Sequence, residues 1–204
     1  MSSRQDVAKE AARVLYNRSV KEYKDAKEIA ASSLGSKALP SNYEVAIELD
    51  RLTDEIEGSE RQTRLIEMRS IALHLMRNIQ DYDPVLIGSV WRGTIRVGSD
   101  VDIVVYHPDP TIVEEKISTI YRVSGSKLKT FAVDGLPRSS VHISFKSGEH
   151  EGEVVVRPPE DREVYRDERC ETYGDIKRGI RLAELERLMN LDPLRRFIPK
   201  RRNR

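Results

Sequence analysis

The chain has 204 residues, 34% of them charged, with 35 Lys+Arg against 34 Asp+Glu and a formal net charge of +1. That balance excludes a generally basic nucleic-acid binder, and a single cysteine, Cys170, excludes an internal disulfide framework or a multi-cysteine zinc site. No apolar run approaches the roughly 20 residues of a membrane span and residues 1–5 open no signal peptide, so a soluble, cytoplasmic protein is expected.

Helical periodicity fills the first 80 residues. Val7, Ala11, Val14 and Leu15, then Tyr23, Ala26, Ala30 and Leu34, predict a helical stretch over 6–34 that Gly35 stops. Ser41-Asn-Tyr-Glu44 reads as a capping box, opening a helix with the stripe Val45, Leu49, Leu52 and Ile56 that ends at Gly58. A third helix is expected over 59–79, with Leu65, Met68, Ile71, Leu75 and Ile79 on one face. The period then changes to that of strands, predicted over 85–87 and 101–106. Asp109-Pro110 opens a helix through Tyr121, with the acceptor side chain and then proline in the first turn.

Further strands are expected over 127–133, 139–146 and 153–156, the last stopped by Pro158-Pro159. A final helix over 180–191 precedes an exposed tail. The fold class is α+β, a mixed β-sheet with flanking helices. The expected division is a helical N-terminal region over 1–80, an α+β domain over 81–160, and a C-terminal helix with a basic tail over 161–204.

Chemistry concentrates between the first two strands. Asp100 and Asp102 are two apart, so in a strand both carboxylates share one face while Val101 and Ile103 turn to the core. Adjacent carboxylates repel unless a cation lies between them, and hard Mg²⁺ takes carboxylate and phosphate oxygens. Ten residues separate this pair from Gly88-Ser89, where glycine permits close backbone approach to a phosphate and the serine hydroxyl can donate to it. Residues 90–93 are expected to form the first turn of a short helix. Ser89 could instead serve as that helix's cap.

Gly88-Ser89, ten residues, then Asp100-Val-Asp102 within a strand resembles the signature of the nucleotidyltransferase superfamily, which includes DNA polymerase beta, kanamycin nucleotidyltransferase and tRNA CCA-adding enzymes. Arg92-Gly93 and Ser99-Asp100 match the motif's interior as well. The whole chain, with its Leu39-Pro-Ser-Asn-Tyr43 segment, is similar to an archaeal group of such proteins. The resemblance implies that two Mg²⁺ ions held by the carboxylates clamp an in-line displacement at the α-phosphorus. It implies transfer of a nucleoside monophosphate, AMP from ATP, to a hydroxyl acceptor with release of pyrophosphate. Gly88, Ser89, Arg92 and Ser99 are then expected to bind the nucleotide.

The superfamily carries a third carboxylate on a later strand. Val141-His-Ile-Ser-Phe145 has no acid, whereas Glu153 heads an apolar run and is chosen ahead of Glu151 as the third catalytic and metal-binding group. Trp91 is read as a packing residue, His142 as an ordinary strand histidine and Cys170 as an inert thiol. The last ten residues hold six Arg/Lys and no acid, on a body of net charge −5. That tail reads either as a solubilising end or as a contact for the phosphates of an RNA acceptor. The acceptor could equally be a protein. Two other functions fit the same residues: a non-catalytic, antitoxin-like nucleotide-binding partner, and an RNA-binding protein using the fold as a scaffold.

Overall fold

The computed structural model describes residues 2–133 and 135–200. They divide into two compact units. One takes the chain up to Arg61 with Arg169–Asp175 and the chain from Ile198; the other takes Gln62–Glu168 with Ile176–Phe197.

In the first unit, α1 (Arg4–Tyr16) and α2 (Tyr23–Ser33) bury Val7, Ala11 and Leu15 against Ala26 and Ala30. The stretch expected over 6–34 is therefore two helices. The break falls where Arg18 adopts a φ of 56°, a left-handed conformation that cannot continue a helix. The capping box is present: Glu44 accepts from the Ser41 N–H at 2.7 Å, and the Ser41 hydroxyl accepts from the Glu44 N–H at 3.2 Å. It opens α3 (Asn42–Asn78), which is interrupted at Gly58 by a φ of 50° and ψ of −131°, where the sequence places a helix end. Arg61 bridges that interruption from inside the unit, its guanidinium 2.5 Å from Asp50 and 2.7 Å from Asp54.

The second unit is built on a six-stranded mixed sheet in the order β3-β4-β5-β2-β1-β6. Its strands are β1 (Val85–Ile87), β2 (Val101–Tyr106), β3 (Arg122–Val133), β4 (Leu136–Ser147), β5 (His150–Arg157) and β6 (Ile180–Arg181). Only β2 and β5 run parallel; every other pairing is antiparallel. One face is apolar, with Val101, Ile103, Val105, Ile143, Phe145 and Val154 packed in one core with Met68, Leu75 and Met76 of α3, Ile79 just beyond it, and Val113 and Ile117 of α5 (Pro110–Ser118). Asp109 caps α5 by accepting from the Thr111 N–H at 2.9 Å, as its position before proline predicts. The chain then turns through a short helix, α4 (Gly88–Arg92), between β1 and β2, and ends with α6 (Leu182–Leu191).

The strands run longer than their apolar patterns. β3 starts at Arg122 because it is an edge strand exposed along most of its length, and β4 starts at Leu136 because its first residues pair with β3 alone, so no burial period marks either start. Residues 180–181 join the sheet as β6 instead of starting the last helix, and α5 stops at Ser118, short of Tyr121. Among the described residues no helix is long and apolar enough to cross a membrane.

Candidate active site

The turn after β1 is shaped by a carboxylate. Gly88 has a φ of +72°, and a Cβ there would lie 2.5 Å from Oδ2 of Asp102. The sequence explains this glycine by close approach to a phosphate; in the fold its missing side chain is also the space that Asp102 occupies. Ile87, not Ser89, is the N-cap of α4, and the Ser89 hydroxyl makes no hydrogen bond among the described residues. Capping therefore does not account for Ser89, whose hydroxyl is available to a ligand.

Gly88→Ala tests this close fit. Alanine in the left-handed region costs about 1–2 kcal/mol, and its methyl group would also displace the Asp102 carboxylate. The expected result is a lower melting temperature together with at least about tenfold weaker binding of a magnesium–nucleoside triphosphate, since displacements near 1 Å carry effects of this size. Calorimetry and a binding titration on the same sample measure both, and wild-type binding in the variant would count against the assignment.

The carboxylates come together through strand register. Asp100 is exposed just before β2, and Asp102 is the strand's second residue, with Val101 and Ile103 fully buried on the other face. β1 and β2 pair Ile87 with Asp102, and parallel β2 and β5 pair Asp102 with Glu153. Burial, then the charges of Asp100 and Glu153, push Asp102 up to about 7 from 3.8, while Lys129 pulls it the other way. Glu151 lies two residues farther out and is tied to Lys146 at 2.6 Å.

Two further residues stand at the site: His142, read in the sequence as an ordinary strand histidine, and Lys129, which the sequence does not single out. His142 Nδ1 lies 2.7 Å from Glu153 Oε2, and its Nε2 lies 2.9 Å from the Ser140 hydroxyl. Lys129 Nζ lies 3.5 Å from the other Glu153 oxygen. The alternation in Val141-His-Ile-Ser-Phe145 puts His142 on the polar face, a usable signal. Nothing in the pattern points to Lys129, which reaches Glu153 only because the hairpin pairs it with Ser140.

Arg92 requires correction. The Arg92 guanidinium is buried, 4.5 Å above the Trp91 ring, and donates to the Phe197 carbonyl at 3.0 Å, so it belongs to the packing of the C-terminal segment. The Ser99 hydroxyl accepts from the Arg96 N–H at 3.0 Å, closing the turn before β2. The structure thus groups Gly88, Ser89, Asp100, Asp102 and Glu153, and turns Arg92 away. Trp91 is a core residue, as expected. Of the basic tail, Arg201, Arg202 and Arg204 lie outside the described residues.

Among the described residues, no three His, Cys, Asp or Glu side chains form a group that could hold a metal ion. The donor set is nevertheless suited to a hard cation that brings phosphate oxygens with it. Such an ion needs only one or two carboxylates from the protein. Burial first, and then the charges of Asp100 and Glu153, hold the Asp102 pKa up, so its carboxylate carries uncompensated negative charge that a cation would relieve.

A glycine-serine turn closed onto an Asp-x-Asp strand, in a mixed α+β sheet, defines a nucleotidyltransferase domain. Residues 68–169, half of the 204-residue chain, match the family described as "Nucleotidyltransferase domain". The chain belongs to that family, a family of nucleotidyltransferases. No curated protein matches the chain. Among solved structures, a chain from the "structure of GLD-2/RNP-8 complex" is similar at 17% identity and a TM-score of 0.32, over 49% of this chain and 44% of that chain. The present chain thus spans less than half the length of that neighbour.

Proposed function

We propose that the protein transfers a nucleoside monophosphate, AMP from ATP, to a hydroxyl acceptor and releases pyrophosphate. The observation that carries this reading is the register that sets Glu153 beside Asp102, directly against the Gly88-Ser89 turn. Asp100, Asp102 and Glu153 would hold Mg²⁺, two ions in this reading; when bound, the metal supplies charge neutralisation at the phosphates and activation of the acceptor hydroxyl. The Ser89 hydroxyl donates to a phosphate oxygen. Val104 and Val155, next along the same face and nearly buried, form a dry floor that strengthens every charge interaction above it. His142, anchored to Ser140, fixes the orientation of the Glu153 carboxylate.

One observation favours a second reading, a non-catalytic nucleotide-binding protein. Both Glu153 oxygens are already engaged by Lys129 and His142, which would satisfy that carboxylate without a metal. Incubating the protein with each α-labelled triphosphate, Mg²⁺ and cell extract separates the two. The first reading expects pyrophosphate release with ATP and a labelled product that identifies the acceptor. Nucleotide binding without pyrophosphate release, with any triphosphate, would select the second.

A further inference from the structure

Arg69 is the largest fully buried side chain among the described residues, and no carboxylate hydrogen-bonds to it there. Its guanidinium instead donates to four backbone carbonyls. Nε reaches Val90 at 3.1 Å and Nη2 reaches Trp91 at 2.8 Å, both at the end of α4. Nη1 reaches Pro193 at 2.6 Å and Nη2 also reaches Arg195 at 2.9 Å, both in the segment after α6. That segment continues along α4: the Phe197 N–H donates to the Arg92 carbonyl at 2.9 Å, and the Phe197 ring stacks on Trp91 with centroids 6.2 Å apart.

A five-residue helix is too short to be stable by itself, so its position is set by what holds its ends. At one end Gly88 fits against Asp102; at the other, a Cβ on Gly93 would lie 3.0 Å from the Arg195 carbonyl. The helix between them is about 7.5 Å long, so a shift at the Arg195 end moves Ser89. The clamp is also cooperative. A buried guanidinium left with half its acceptors carries a desolvated charge that the remaining bonds do not compensate. Burial already lowers the Arg69 pKa to about 10, against the opposing pull of Asp192.

We propose that Arg69 is a positioning residue for the nucleotide: it locks Pro193–Phe197 onto α4, and this C-terminal strap thereby holds Ser89 at the triphosphate. The proposal rests on the reading of Gly88-Ser89 as the phosphate turn. It makes nucleotide affinity depend on a segment that touches no nucleotide, and by linkage it makes nucleotide binding stabilise the strap.

Three measurements on the full-length chain test it. Arg69→Lys keeps the charge but lacks the planar fork that serves four carbonyls; its affinity for Mg²⁺–ATP should fall at least about tenfold, with a smaller change in the rate at saturating nucleotide. Phe197→Ala, which leaves Arg69 intact, should weaken binding in the same direction and covers the case in which the Arg69 variant does not fold. In the wild-type protein, Mg²⁺–ATP should slow hydrogen exchange in residues 193–197 as well as 88–93. Wild-type affinity in either variant once folded, or nucleotide protection confined to 88–93, overturns the proposal. A wild-type protein that binds no triphosphate would instead overturn the phosphate-turn reading on which it rests.

Discussion

Asp100→Asn combined with Asp102→Asn is expected to lower nucleotidyl transfer at least about a thousandfold, while Asp102→Asn alone makes the metal-free fold more stable. The two effects have one origin. Asp102 carries a pKa raised to about 7 from 3.8 because it is buried and faces Asp100 and Glu153. A carboxyl whose pKa is raised on folding binds its proton more tightly in the folded state, so stability falls as pH rises from about 4 to 7. At pH 8 the wild-type chain bears the whole cost of that charge, and asparagine does not. Without divalent metal, Asp102→Asn should therefore melt about 3–10 °C higher at pH 8. The gain should shrink as pH falls through 7 and vanish below about 4. Adding Mg²⁺ with a triphosphate should stabilise the wild type and not the double variant. Equal melting temperatures at pH 8, or intact Mg²⁺-dependent ATP binding in the double variant, would remove the site assignment.

Glu153→Gln should separate binding from chemistry. Its partner across the parallel pairing, Asp102, remains to hold a triphosphate-bound ion, so nucleotide affinity is expected to change by less than about threefold. Transfer should fall at least about a hundredfold, because the group proposed to complete the acceptor side is lost. Glutamine retains the shape and can still accept from His142, and the lost ion pair with half-exposed Lys129 contributes little. The melting temperature should accordingly stay within about 2 °C of wild type. Single-turnover assays with a preformed nucleotide complex read the chemical step directly. Full transfer in this variant would return Glu153 to the role of a structural partner for His142 and Lys129.

Much of this site was readable in sequence because its residues lie close together along the chain. Gly88-Ser89, Asp100 and Asp102 sit on either side of one turn, and β1 and β2 match their apolar runs residue for residue. The capping box at Ser41 and the stop at Gly58 were equally legible, since both are local backbone chemistry. Arg18 shows where local reading failed: the apolar stripe continues in α2, and only the left-handed turn reveals two helices.

The remaining assignments depended on long-range register. Alternation could place Glu153 on a strand, but only the parallel pairing of β2 with β5 sets it opposite Asp102. The same holds for Lys129, which comes from an exposed hairpin with no burial pattern, and for His142, whose partner lies eleven residues away in sequence. Arg92 looked like a phosphate ligand because its charge sits beside the motif; its guanidinium is taken by Phe197, more than a hundred residues later. Local spacing was enough to set Asp102 on the face opposite Val101 and Ile103 and close to Gly88, because residue spacing along a strand dictates which side chains share a face. Strand register and chain packing decided which carboxylate stands opposite Asp102, which side chains engage it, and where the Arg69 guanidinium donates. Those contacts exist only once strands and the C-terminal segment meet, and no local period encodes which strand will be the neighbour.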